Sequence, residues 1–157
     1  MPSFNANKLK DFLYQANLAG YASGAENNWI KEKDGSTSIR FSLGNWQMHD
    51  NYFGGEPYGG RLVVFYQGKP VWLMVYYGWV EAEVKPDSVY PFLRQTLKQM
   101  PTDFPLRGPK ELKTPDFYYL NKWQGNILRY SGEEKIFSRQ KLVYQASYMG
   151  GLIDQIR

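Results

Sequence analysis

Residues 70–78 read Pro-Val-Trp-Leu-Met-Val-Tyr-Tyr-Gly, and residues 142–150 read Leu-Val-Tyr-Gln-Ala-Ser-Tyr-Met-Gly. Val71-Trp72 and Tyr76-Tyr77-Gly78 thus meet Val143-Tyr144 and Tyr148-Met149-Gly150, 72 residues on. Side chains four apart on a β-strand share a face, so Trp72 points with Tyr76 and Tyr144 with Tyr148. Two strands of one kind at matching places point to a repeated unit, which the residues before each strand can test.

Before the first of these strands, residues 61–67 form another, joined to 70–79 through Gly68-Lys69. A two-residue loop suits a primed hairpin turn, and Pro70 must sit where the ladder needs no donor. Ile39, Phe41 and Leu43 alternate with Ser38, Arg40 and Ser42, which predicts a half-buried strand that Gly44-Asn45 turns into one near 46–53. Leu9, Phe12, Leu13 and Ala16 keep helical spacing, with Asn5 or Asn7 as cap and Gly20 as stop. In the second half Val89, Phe92, Leu93, Thr96, Leu97 and Met100 do the same, capped by Asp87 or Ser88 and ended by Pro101, with Pro91 in the first turn. A proline-punctuated loop carrying Arg107-Gly108-Pro109 follows. Strands near 116–122, 126–131, 134–138 and 141–149 complete the chain, with turns at Gln124-Gly125 and Arg139-Gln140.

The two helices match at an offset of 80, Trp46 meets Trp123 at 77, and Tyr52-Phe53-Gly54-Gly55-Glu56 meets Tyr130-Ser131-Gly132-Glu133-Glu134 at 78. A six-residue insertion around Pro57–Gly60 accounts for the drop to 72. The expected fold is α+β: one domain over 1–157, with two helices packed on a strongly curved antiparallel sheet. It arises by duplication of an α-β-β-β-β unit, with halves 5–84 and 85–153. Halves too small to bury their own faces share a sheet, and a pseudo-twofold axis relates their loops. Glu56 and Glu134 then occupy matching positions.

Several stretches together resemble a bacterial family of unknown function. They are Asp50-Asn51-Tyr52-Phe53-Gly54-Gly55-Glu56, Tyr66–Trp72 with Tyr76-Tyr77-Gly78, Phe92-Leu93, Arg107-Gly108-Pro109, Ser131-Gly132-Glu133-Glu134 and Tyr148-Met149-Gly150-Gly151-Leu152-Ile153. Domains of that family often follow a helix-turn-helix DNA-binding segment in regulator-like proteins. The resemblance implies a fold and a regulatory setting but brings no known activity. Where the family usually has a histidine between the tyrosine and the glycine, this chain has Met149. It also shows no helix-turn-helix segment of its own before the first strands.

Composition narrows the chemistry. The chain has no cysteine, which removes disulfides, thiolate metal sites and a cysteine nucleophile. His49 is its one histidine, so multi-histidine metal sites are out, and Asp50, on the opposite face of the strand, cannot orient it as a triad acid would. No apolar run reaches the ~18 residues of a membrane span and no signal-peptide pattern opens the chain, so a cytoplasmic protein is expected. Residues 85–141 carry 11 basic and 6 acidic side chains against 7 and 8 in residues 1–84. That excess is spread among acids without a dense run, which argues against tight nucleic-acid binding. No phosphate loop, dinucleotide fingerprint or metal spacing is present, and no cofactor is expected.

The candidate ligand-binding residues are Glu56, Trp72, Tyr76, Arg107, Glu134, Tyr144 and Tyr148. The four aromatics can line a pocket for a flat or cationic ligand. The glutamates can bind a cation, an amine or a sugar hydroxyl, and Arg107 can hold an anion or bridge to one of them and lock its loop. A non-enzymatic binding or sensing domain for a small molecule is the leading expectation. A hydrolase using Glu56 and Glu134 as paired carboxylates, and a weak single-stranded nucleic-acid binder, are the alternatives.

Overall fold

The computed structural model describes residues 4–155; Arg157, counted in the charge of the chain, lies outside them. Helix α1 (Ala6–Ala19) is capped by the Asn5 side chain, which accepts from the Asn7 backbone N–H. It buries Leu9, Phe12, Leu13 and Ala16, and Gly20 ends it. Two short 3₁₀ turns, Tyr21–Ser23 and Glu26–Asn28, lead to β1 (Ile30–Lys31), β2 (Thr37–Leu43), β3 (Trp46–Phe53), β4 (Tyr58–Tyr66) and β5 (Lys69–Val80). Helix α2 (Pro86–Leu97) precedes β6 (Glu111–Lys113), β7 (Tyr118–Asn126), β8 (Arg129–Ser138) and β9 (Lys141–Leu152).

Helix α2 starts earlier than its spacing predicts. Lys85 is the N-cap, without a side-chain bond, and Pro86 takes the first helical position, where its missing N–H is harmless. Asp87 and Ser88 are therefore inside the helix rather than capping it. Pro91 falls past the first turn and returns no N–H to the Asp87 carbonyl.

Among the described residues the nine strands form one antiparallel sheet in the order β1-β2-β3-β4-β5-β9-β8-β7-β6. The sheet is open and not strongly curled, contrary to the expected strong curvature. The two helices fill one face side by side, so no enclosure is needed to bury them. On that face α1 packs on Ile39, Met48, Leu62, Trp72 and Met74, and α2 packs on Val80, Tyr119, Ile136, Tyr144 and Ala146. The other face carries exposed Val75, Tyr77 and Met149.

The first half runs as a helix followed by a five-stranded meander, β1–β5, and the second as a helix followed by a four-stranded one, β6–β9. The two join through β5 and β9, so the two-residue β1 has no counterpart in the second half. The last hairpin of each half agrees in detail. Tyr58↔Gly78, Leu62↔Met74 and Val64↔Trp72 in the first become Tyr130↔Gly150, Glu134↔Ala146 and Ile136↔Tyr144 in the second. A register shift follows Val64 in one and Ile136 in the other. Gln67-Gly68 and Arg139-Gln140 turn both hairpins with positive φ.

This register corrects two expected matches and the expected place of the insertion. Glu134 lies where the first half has Leu62, not Glu56. Trp123 corresponds to Tyr52 rather than to Trp46, since Tyr52↔Gly60 is matched by Trp123↔Gly132. The length difference lies after the helices, where the connection from α1 is longer than that from α2, and not around Pro57–Gly60. Two strands expected at 126–131 and 134–138 are one continuous β8, because the Tyr148 ring lies over Gly132 where any β-carbon would collide with it. The turn expected at Gln124-Gly125 falls instead between β7 and β8, at 127–128. Gly125, with φ +84°, bends β7 while still pairing with Tyr130.

Gly54 and Gly55 make a paired prediction. Gly54 has φ +79°, and a β-carbon there would strike the Pro57 carbonyl oxygen, whereas one at Gly55 meets nothing within 4 Å. Gly54→Ala is expected to destabilise by more than ~1 kcal/mol and Gly55→Ala by far less. Urea midpoints of the two variants check this, and equal midpoints would refute it.

Candidate functional site

Strand β3 alternates Trp46, Met48, Asp50 and Tyr52 on the covered face with Gln47, His49 and Asn51 on the open one. A carboxylate therefore stands among apolar neighbours at a core-facing position. Asp50 is only 8% exposed. The Tyr76 hydroxyl, from β5, donates to its Oδ1. Burial pushes its carboxyl up to about 6, outweighing the opposing pull of the Tyr76 bond and of the Arg107 and Arg61 charges.

Asp50 forms part of the floor of a cavity of about 870 Å³ on the first half of the sheet. Met48, Tyr52, Tyr58, Leu62, Met74 and Tyr76 make up the rest of that floor. The walls come from Tyr21, Glu26 and Trp29 after α1, from Tyr90, Arg94 and Leu97 of α2, and from Met100, Leu106 and Arg107 beyond it. The Asn17 side chain donates to the Pro105 carbonyl over 2.7 Å and ties α1 to the segment after α2.

Arg94 ties one wall together. Its Nη2 donates to Glu26 over 2.8 Å, and its guanidinium carbon lies 4.9 Å from the Tyr21 ring centre and 5.4 Å from that of Trp29. Its buried Nε has no acceptor among the described residues; the adjacent ring faces offer the weaker π contact instead.

The expected site residues divide between this cavity and the packed interior. Tyr76 and Arg107 line the cavity. Trp72 does not. It is fully buried, donates from Nε1 to the Ile127 carbonyl over 2.6 Å and stacks on Tyr130 at 5.6 Å. Tyr144 is also fully buried and shares a 2.5 Å hydroxyl–hydroxyl bond with Tyr58. Burial pushes Tyr58 up to about 12. Tyr148 is 3% exposed and donates to Asn121 Oδ1 over 2.6 Å. Three of the four aromatics are core because Trp72, Tyr144 and Tyr148 lie directly under packed elements, while Tyr76 lies beneath the gap between them.

The two glutamates have separate environments. Glu134 is fully buried on β8 and accepts from Arg107 Nε at 2.6 Å and from the Tyr119 hydroxyl at 2.5 Å. Burial alone would lower the Arg107 guanidinium, but the Glu134 carboxylate and neighbouring tyrosines hold it well above its ordinary value. The adjoining Gly108 donates to the Tyr119 hydroxyl and accepts from Asn121, so this loop is bolted to the second half of the sheet. Glu56 is exposed, in the connection between β3 and β4, and accepts from the Val80 backbone N–H at 2.7 Å and from the Tyr90 hydroxyl. Both carboxylates are thus engaged by protein donors. His49 lies on the other face of β3, 3.2 Å from Ser38 Oγ, with its imidazole lowered first by burial. Among the described residues no group of three or more histidine, cysteine or acidic side chains is placed to hold a metal ion.

A family model described as a domain of unknown function, DUF5680, matches residues 50–153. The chain belongs to the DUF5680 family. The matched stretch contains Asp50, Tyr76, Arg107 and Glu134, while Tyr21, Glu26 and Trp29 of the cavity wall precede it. In this DUF5680 chain the match therefore covers most of the cavity floor and the walls from α2 and the segment after it, while Met48 of the floor and the wall after α1 lie outside it. No curated protein and no solved structure matches the chain. Among the described residues no helix is long and apolar enough to cross a membrane.

Asp50, Trp29, Tyr90 and Arg94 were not among the residues singled out from sequence. The alternation in β3 carried the signal for Asp50: it breaks a run of core-facing Trp46 and Met48. No local pattern marks the other three, which come together only when the segment after α1 folds against α2.

Proposed function

We propose that this protein is a non-enzymatic domain that binds a small molecule in the cavity beneath α2, as a sensing module. One observation carries the reading: a cavity of about 870 Å³ brings six aromatic rings, those of Tyr21, Trp29, Tyr52, Tyr58, Tyr76 and Tyr90, together with a few fixed polar groups such as Asp50 and Arg107. That size and lining are what small-molecule sites have. The site moves from the seven residues expected from sequence to Asp50 and Tyr76 on the floor and Arg107 in the wall, with Tyr52, Tyr58 and Trp29 beside them. The paired-carboxylate hydrolase is less well supported, since Glu56 and Glu134 already accept bonds from separate partners. The proposal extends to a single cytoplasmic domain that needs no cofactor and takes a small molecule rather than nucleic acid or a membrane as its partner. The regulatory setting implied by the bacterial resemblance belongs to it as well. So does origin by duplication, which the equivalent hairpin registers support.

A thermal-shift screen of small aromatic and amine compounds is expected to find stabilisers. Their binding should move the amide resonances of Tyr21, Ala22, Arg94 and Leu106. A screen without any stabiliser at millimolar concentration, or shifts confined to the open face around Val75 and Met149, would overturn the reading.

A further inference from the structure

The two halves of the sheet treat one hydrogen bond differently. In the second half the Tyr148 hydroxyl donates to Asn121, and in the first the equivalent Tyr76 hydroxyl donates to Asp50. The positions correspond through the ladder, since Asp50 pairs with Leu62 as Asn121 pairs with Glu134. A neutral amide therefore suffices for the structural task, and the charge on Asp50 is surplus to it. That charge is also unmatched. The neighbouring cation, Arg107, spends its Nε bond on Glu134, and among the described residues no cationic group lies within 4.0 Å of Asp50. Asp50 on the floor and Glu134, which lies outside the cavity lining, share one nearby guanidinium, and Arg107 is bonded to Glu134. A buried carboxylate without a counter-ion is costly unless something brings one. The rings of Tyr52, Tyr58, Tyr76 and Trp29 line the same space, and aromatic faces attract cations.

We propose that Asp50 receives the cationic nitrogen of an organic amine bound in the cavity. The inference rests on the small-molecule reading above and names the ligand's charge class. The nitrogen takes the place of the missing counter-ion, and the aromatic rings surround the body of the ligand. The groups facing Asp50 are Tyr76 on β5, Tyr52 on its own strand and Arg107 in the segment after α2; Arg61 on β4 lies on the open face of the sheet and acts on Asp50 only by its charge. None of these changes charge between about pH 5 and pH 8, so Asp50 alone sets the acid limb of binding.

The test titrates the whole chain with three probes of similar shape: phenethylamine, 2-phenylethanol and phenylacetate. Phenethylamine is expected to bind at least about tenfold more tightly than the neutral alcohol, as for a charge-assisted contact. Its affinity should fall about tenfold between pH 7.5 and pH 5 as Asp50 takes up a proton, while that of the alcohol stays level. Asp50→Asn should reduce amine binding to the level of the alcohol without loss of fold. Equal binding of the amine and either other probe by the wild-type protein would overturn the charge assignment and leave the small-molecule reading standing. So would unchanged amine affinity in Asp50→Asn. Failure of all three probes to bind would sink both readings. If Asp50→Asn does not fold, the wild-type comparison and its pH dependence still decide.

Discussion

Truncating Arg107 to alanine is expected to destabilise the protein by roughly 3–5 kcal/mol, the range found when one partner of a buried ion pair is removed. Its side chain is 11% exposed and that of Glu134 0%, so the stranded carboxylate would have no water to turn to. Only the Tyr119 hydroxyl would remain bonded to it. The loop at 107–109 would also lose the contact that closes one side of the cavity. The first half of the sheet shows how to relieve the damage. Leu62 fills the position equivalent to Glu134, so a leucine fits this point of the fold. The double variant Arg107→Ala with Glu134→Leu should regain much of the lost stability, because it removes the unpaired charge. Chemical unfolding of both variants near neutral pH measures the difference. Equal loss in the single and the double variant would show that the ion pair is not the source.

Asp50→Asn is expected to do the opposite and raise stability near neutral pH. The carboxyl ionises near 3.8 when unfolded and at about 6 in the folded protein. Below about pH 4 both states hold the proton and the group contributes nothing. Between about 4 and 6 the folded state binds more protons, so stability falls as pH rises. Above about 6 the whole penalty is present, on the order of 2–3 kcal/mol for a shift of this size. Asparagine escapes it while still accepting from Tyr76, as Asn121 does from Tyr148. Thermal midpoints of wild type and variant should therefore coincide near pH 4 and separate toward pH 7.5, with the variant higher. A variant less stable at pH 7.5 would mean that the carboxylate serves the fold. A more stable variant that no longer holds an amine would mark Asp50 as a residue kept for binding at the expense of stability.

The same comparison shows which parts of the site could be read in advance. The alternation of β3 places His49 and Asp50 on opposite faces, and the structure has them there. Whether a core-facing carboxylate is matched by a cation is a different question. The answer depends on Arg107, which approaches from the segment beyond α2 and bonds to Glu134 instead. Glu56 looked equivalent to Glu134 because both follow an aromatic residue and a glycine. That likeness is local, and the ladder overrules it: Gly132 lies within β8 under the Tyr148 ring, while Gly54 and Gly55 lie in a connection between strands.

The sequence by itself determined the two amphipathic helices, their order before each set of strands, an asparagine cap on the first, the hairpin turns at Gly44-Asn45 and Arg139-Gln140, and the α+β class. These depend on interactions within a few residues, where side-chain period and turn preference decide the outcome. Only the tertiary structure decided that the sheet stays open, that Trp72, Tyr144 and Tyr148 are interior, and that a cavity lies over Asp50. It also decided that Asp50 and Asn121 share one task with different charges. Each of those results depends on which residues distant in the chain come to lie opposite one another. Strand register sets that, and a shift of one position reverses every side chain's face.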